Sequence, residues 1–183
     1  MREAWAGVTT DPDVIVHAWL FSRDAEPVGF AIVNTSLRRQ ILLQHYFGMD
    51  PDAGRLLPLR WVGHLMDALR DTGIRDCERN GTVLLAQVGE HYEEHLRAWA
   101  RFGYRTLDVD YREPRHGRHW ADYGAPEYFA MYPQMRLTDA GEGLPLAQVA
   151  VEAVSAFLLD HYRLPADDPT VARTLALAAA LPG

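Results

Sequence analysis

The chain contains no lysine; all 18 of its basic residues are arginine. That excludes Schiff-base chemistry, a lysine general base and a lysine-bearing phosphate loop together. Cysteine is equally scarce, with Cys77 alone, so an internal disulfide is excluded and a reducing cytoplasm is the expected setting. No window approaches the ~20 consecutive apolar residues of a spanning helix. The opening M-R-E-A-W-A-G-V-T-T also lacks the apolar run of a signal peptide, so no membrane association is expected. Positive charge is in deficit, the formal net charge being −7, which argues against a nucleic-acid surface, since neutralising phosphates takes clustered cations. What remains is a 183-residue chain with 48% hydrophobic residues, enough for one domain with a sizeable core and a small appendage.

Periodicity orders the elements. Val14 to Phe21 (V-I-V-H-A-W-L-F) is short, β-branched and aromatic, and reads as a strand. After the polar turn 22–27, V-G-F-A-I-V-N reads as a second strand and Gln40 to Gly48 as a third, an antiparallel meander. Pro58 opens a helix, with Leu59, Val62, Leu65, Met66 and Leu69 at helical spacing and Thr72-Gly73 as its end. A fourth strand is expected from Thr82 to Val88, then a helix from about Glu90 to Phe102, then two strands around the charged, aromatic loop R-H-G-R-H-W-A-D-Y-G-A-P. The order is β-β-β-α-β-α-β-β, with no internal repeat. T-D-A-G-E-G-L-P has linker composition, and two amphipathic helices follow, one through Leu146, Val149, Ala153, Val154 and Phe157, one from Pro169 to Leu181. The expected organisation is a domain over 1–137, a linker over 138–145 and a helical extension over 146–183.

The most informative stretch is R-A-W-A-R-F-G-Y-R-T-L-D-V-D-Y-R-E-P, from Arg97 to Pro114. Gly103 stands where a helix stops by entering the left-handed region, and a strand leaves at once through Tyr104, Leu107, Val109 and Tyr111. This passage resembles the helix-to-strand step near the end of the GNAT superfamily of acyl-CoA-dependent N-acyltransferases. "E-P-V-G-F-A-I-V" resembles that family's hairpin strand. "Y-F-G-M-D-P-D-A-G-R-L-L-P-L-R-W-V-G-H-L-M-D-A-L" looks like the strand, turn and helix that grip the CoA pyrophosphate. The likeness covers roughly residues 26 to 137. It implies an α/β fold with a mixed, mostly antiparallel sheet flanked by helices, here with a shortened N-terminus and a C-terminal helical extension. The acceptor-side wall ahead of Val14 would then be reduced, or supplied by a second copy or a heteromeric partner.

The resemblance further implies an acyl group moved from acetyl-CoA, or another acyl-CoA, to the amine of a small molecule. It places CoA against Met49, Gly54, Arg55, Leu57, Leu59 and Arg60, where a turn before a helix offers unpaired N–H groups and the positive end of the helix dipole. Two positions that are small in the family are Pro58 and Arg60 here. Proline removes one phosphate donor, while Arg60 offers a charged contact in exchange. The tyrosine that many members use to protonate the leaving thiolate is replaced by Trp99, an indole that donates a hydrogen bond but is no acid. The candidates for acid and base are therefore His45, Tyr46 and Asp50 on or after the third strand, and Glu90, His91 and Tyr92 around the start of the next helix; Tyr104 and Tyr111 lie within reach of the same region.

Two other readings stand beside this one. A degenerate GNAT-fold protein could bind a ligand or partner without transferring an acyl group; Pro58, Arg60, Trp99 and the short N-terminus favour it. His91-Tyr-Glu-Glu94-His95 also matches H-x-x-E-H, in which two histidines one helical turn apart bind zinc beside a glutamate base. That reading needs a third ligand, for which Glu127, Glu142 and Glu152 are equivalent candidates, and no resident metal is expected.

Overall fold

The computed structural model describes residues 11–52 and 59–182, and the chain divides into two compact units, one ending at Leu84 and the other beginning at Leu85. The first unit is a three-stranded antiparallel meander, β1 (Val14–Arg23), β2 (Glu26–Ser36) and β3 (Ile41–Met49), with helix α1 (Leu59–Arg79). A two-residue loop, Asp24-Ala25, joins β1 to β2 with both residues at positive φ, the backbone twist that suits a tight hairpin. The core of this unit is Val33, Ile41, Leu42, Met66, Leu69 and Cys77, all inaccessible to solvent.

Helix α1 does not end at Thr72-Gly73. Gly73 is buried where the helix meets its neighbours: a Cβ there would stand 3.2 Å from a Leu84 methyl and 3.3 Å from Leu42. The glycine serves close approach, and Thr72 returns its hydroxyl to the Ala68 carbonyl at 2.9 Å. The true stop is Gly81, at φ 70°, after which Thr82 N–H reaches back to the Cys77 carbonyl at 2.9 Å. Asp76, buried in α1, accepts from Thr35 Oγ1 and pairs with His17 Nε2, each at 2.7 Å, so this buried carboxyl is held from β1 and β2.

The second unit holds β4 (Ala86–His91), β5 (Arg105–Thr106) and β8 (Tyr132–Leu137), with β8 antiparallel to both of the others, and a separate two-stranded ribbon of β6 (Arg112–Pro114) and β7 (Tyr128–Ala130). The expected strand from Thr82 is displaced along the chain. Its ladder with β8 runs from Ala86 opposite Leu137 to His91 opposite Tyr132. Before Ala86 the partner strand has ended, and the Leu85 carbonyl accepts instead from the backbone and hydroxyl of Thr138. The expected helix from Glu90 is likewise corrected: β4 continues through His91, a 3₁₀ turn covers Glu93–His95, and helix α2 is only Leu96–Ala100. Gly103 does take the left-handed conformation, at φ 83°. The strand after it is broken, because only Arg105 and Thr106 find partners on β8.

The stretch 138–145 is not an open linker. Thr138 caps a short helix, α3 (Asp139–Glu142), by accepting from Gly141 N–H. Helix α4 (Leu146–Ser155) packs on α5 (Pro169–Ala179) and touches β4, so both C-terminal helices belong to the core of this unit through Val149, Ala150, Ala153, Val171 and Ala178. Asp168 caps α5 through the N–H groups of Thr170 and Val171. Helix α4 runs into a π-helical turn, Ala156–His161, closed by Tyr162 N–H on the Phe157 carbonyl at 2.8 Å. The fold is therefore mixed α/β with antiparallel strand pairs and flanking helices, as expected, and no helix among the described residues is long and apolar enough to cross a membrane.

Candidate functional site

The sequence candidates fall into both units. In the first, the pairing of β2 with β3 skips between Ile32 opposite Tyr46 and Val33 opposite Gln44, which makes His45 the extra residue of a β-bulge. A bulge re-aims its side chain, and here His45 Nε2 meets the Asn34 amide at 2.8 Å. Tyr46 is exposed at β3's end. Asp50 turns its carboxylate onto the N–H of Asp52 at 2.8 Å, a local Asx turn, and is also exposed. Met49 closes β3 and Arg60 is exposed in the first turn of α1, which carries no acidic residue. Leu59 begins that helix. Gly54, Arg55, Leu57 and Pro58 lie outside the described residues.

In the second unit, strand alternation sends Glu90 and His91 to opposite faces of β4. His91 is buried against the face of Trp99, ring centroids 4.5 Å apart and nearly parallel, with Tyr104 edge-on at 6.5 Å. Burial, with a smaller contribution from His95, pushes its imidazole down to about 4, so it is neutral at physiological pH. Its Nε2 has no hydrogen-bond partner among the described residues. Tyr92 is half-exposed, and it precedes the 3₁₀ turn rather than lying on a helical stripe with Trp99. The zinc geometry is not formed: His91 ends a strand while Glu94 and His95 sit in the turn after it, so the two histidines do not share a helix face.

Glu90 faces the other way, into a cluster that sequence reasoning did not assemble. Tyr111 donates to Oε1, and Tyr162 donates to Oε2 at 2.6 Å. Both phenols are almost wholly buried. Burial, then the nearby Glu113 carboxyl, push Glu90 up to about 8, against the lowering effect of the two hydroxyl donors. Glu113 on β6 is half-buried, and burial raises it as well. Tyr162 is placed by the π-helical turn: the extra residue per turn brings its ring, stacked on Phe157, to the carboxyl. Tyr111 carried a weak signal as a candidate. Tyr162 and Glu113 carried none, because only tertiary packing joins residues 90, 113 and 162.

These groups set an expected pH dependence of stability. His91 and His161, both lowered to about 4 chiefly by burial, bind fewer protons folded than unfolded below 6.5. Their contribution is complete above 6.5 and is lost as pH falls from there toward 4. Glu90 acts oppositely: folded, it holds a proton that the unfolded chain releases above 4.5, so its contribution declines as pH rises from 4.5 to about 8. Glu113, also raised by burial, acts with Glu90, so the carboxyls offset the histidines on the acid side, and above pH 6.5, where the histidines add no slope, the Tm should fall. Calorimetry across pH 4 to 9 checks this, and His91→Gln should move the Tm maximum to lower pH.

No protein-family model and no curated protein matches the sequence. Among solved structures the chain is similar to Tetrahymena GCN5, at 9% identity over 76% of this chain and 78% of that one, TM-score 0.44. It is similar to the ribosomal-protein-S18-alanine N-acetyltransferase of Escherichia coli, at 15% identity over 79% and 81%, TM-score 0.44. It is also similar to an acetyltransferase of Bacillus cereus, at 8% identity over 75% and 85%, TM-score 0.43.

Proposed function

We propose that the chain is an acyl-CoA-dependent N-acyltransferase acting on the amine of a small molecule, with Glu90 as general base. The observation that carries this reading is a carboxyl at the end of β4, clamped by two buried tyrosines and raised to about 8. An amine acceptor is protonated at neutral pH and must lose a proton before its nitrogen can attack. A carboxylate of ordinary acidity is too weak a base for that proton; one raised to about 8 is matched to it. The neutral amine then attacks the thioester carbonyl, a C–N bond forms, and the tetrahedral intermediate collapses with loss of the CoA thiolate. For the donor, the start of α1 suits an anion: its first turn has no acidic residue, Arg60 is exposed there, and the dipole of a 21-residue helix ends there. Met49, Gly54, Arg55, Leu57, Leu59 and Arg60 are the proposed CoA contacts, and His45 and Tyr46 of β3 remain proposed acid–base candidates.

One observation favours a second reading, a binding protein without transfer. Trp99 stands where an acid is expected and is committed to stacking on His91. Thermal shift with acetyl-CoA, longer acyl-CoAs and free CoA, followed by mass spectrometry of a panel of amines, separates the two. The first reading expects stabilisation by mass action, ~2.7 kcal/mol at a hundredfold excess over Kd, together with an acylated amine. Stabilisation without product supports the second, and no shift at millimolar concentration overturns the first.

A further inference from the structure

We propose that the cleft between β6 and the start of α5 is a binding site for a small phosphate monoester, held by the guanidinium groups of Arg112 and Arg173. The cleft has a volume of about 230 Å³ and is lined by Asp110, Arg112, Pro169, Thr170 and Arg173. Tyr111 turns its phenol inward to Glu90, and its two neighbours in the chain, Asp110 and Arg112, line the cleft instead. The backbone is pinned there from α5: the buried Thr174 shares its hydroxyl hydrogen between the Asp110 carbonyl at 2.8 Å and the Thr170 carbonyl at 2.9 Å. One carboxylate serves two guanidinium groups. Asp110 Oδ1 faces Arg112 Nε at 3.3 Å, and Oδ2 faces Arg173 Nη2 at 3.2 Å. Each arginine thus meets the carboxylate through a single nitrogen and not through the bidentate fork that matches guanidinium to an oxyanion. Neither has a further ion pair among the described residues, so the cluster carries one positive charge in excess.

The chemistry of the cluster selects the ligand. A phosphate monoester presents three terminal oxygens, enough to meet both guanidinium groups and the Thr170 hydroxyl together, whereas a carboxylate has two. Size limits what the phosphate is attached to. The cleft is smaller than the ~300–1,000 Å³ of drug-sized pockets, so it suits a short carbon skeleton and not a nucleotide such as CoA. Pro169 gives that skeleton an apolar wall. The helix terminus does not make the site, because Asp168 already occupies the N–H groups of Thr170 and Val171, at 2.8 and 3.2 Å. That carboxylate adds negative charge next to Pro169, and the helix N-terminus that it caps offsets it. The arginines are the donors. Folding alone gives little reason to gather them: the Arg173 side chain is 69% accessible, and ion pairs so exposed contribute little to stability. The assignment goes beyond the acyl-transfer reading and does not depend on it.

The test follows the side-chain N–H signals of Arg112 and Arg173 by NMR of the ¹⁵N-labelled protein, as inorganic phosphate, glycerol phosphate or acetate is added at constant ionic strength. The expected result is saturable movement of both signals with the two phosphates, glycerol phosphate binding at least as tightly as inorganic phosphate and acetate more weakly than either. Arg112→Gln and Arg173→Gln should each weaken glycerol phosphate binding by about tenfold or more, the size of one charge-assisted hydrogen-bonding partner. Asp110→Asn separates a ligand site from a plain ion-pair network. Removing the competing charge should tighten binding several-fold, while the Thr174 bond, made to the Asp110 backbone carbonyl, keeps the segment in place. That variant decides the matter if an arginine variant does not fold. Signals that never saturate, acetate or inorganic phosphate binding in preference to glycerol phosphate, binding unmoved by Arg173→Gln, or binding not tightened by Asp110→Asn overturns the proposal. No arm reads activity, so failure here leaves the acyl-transfer reading standing.

Discussion

Glu90→Gln is expected to lower acyl transfer by ~10²–10⁴-fold, the range for removing a general base, while making the protein more stable at alkaline pH. The two effects come from one cause. Glu90 is raised to about 8 because its carboxylate is poorly solvated, so above pH 8 the fold holds a charge that it stabilises less well than water does. An amide removes that charge and still accepts from Tyr111 through its oxygen, while its nitrogen donates to the Tyr162 oxygen, reversing the wild-type bond there. The linked free energy is on the order of 5 kcal/mol in full at pH 9 and absent at pH 4. A rise in Tm at pH 9 with little change at pH 4 is the expected signature. In the wild type, kcat/KM should climb about tenfold per pH unit up to about pH 8 and then level, as the ionised base saturates. A variant that retains full activity removes Glu90 from the mechanism, and one that loses stability at pH 9 removes the desolvation account.

Gly141→Ala is expected to be the most destabilising small substitution in the second unit. Gly141 lies inside α3, buried, and a Cβ built there would stand 2.1 Å from the Leu85 carbonyl oxygen and 3.0 Å from its carbon. Both obstacles are backbone, so no side-chain rotation relieves the clash. The same carbonyl accepts from Thr138 N–H and Oγ1. Pushing α3 away would break the bonds that anchor the approach to β4, and with it the placement of Glu90. The expected loss is ~3 kcal/mol or more, at the upper end for overpacking, measured as a fall in the denaturant midpoint at unchanged m-value. Gly143→Ala is the control: the nearest atom to its Cβ would be 3.6 Å away, and stability should barely change.

Glycine shows where sequence reading succeeds and where it stops. Gly103 was legible as a helix stop because a left-handed residue beside a change from helical to strand wording is a local event, and it does sit at φ 83°. Gly73 looked the same in the chain yet lies in mid-helix, because its reason is the nearness of Leu42 and Leu84, which local patterning does not record. The run around Glu90 is ambiguous for a similar reason. Its helical spacing is real, but β8 captures the backbone through His91, and ladder hydrogen bonds outweigh a weak helical preference.

By itself the sequence determined the chemical repertoire and the class of fold. Arginine without lysine, one cysteine and a β-β-β-α-β-α order are properties of composition and short-range periodicity. Tertiary structure alone decided which titratable groups meet. Glu90, Tyr111, Glu113 and Tyr162 are scattered over the second half of the chain, and a π-helical turn, a broken strand and a three-residue strand bring them together. The acidity of Glu90 follows from that meeting, because burial and neighbouring charge act through space.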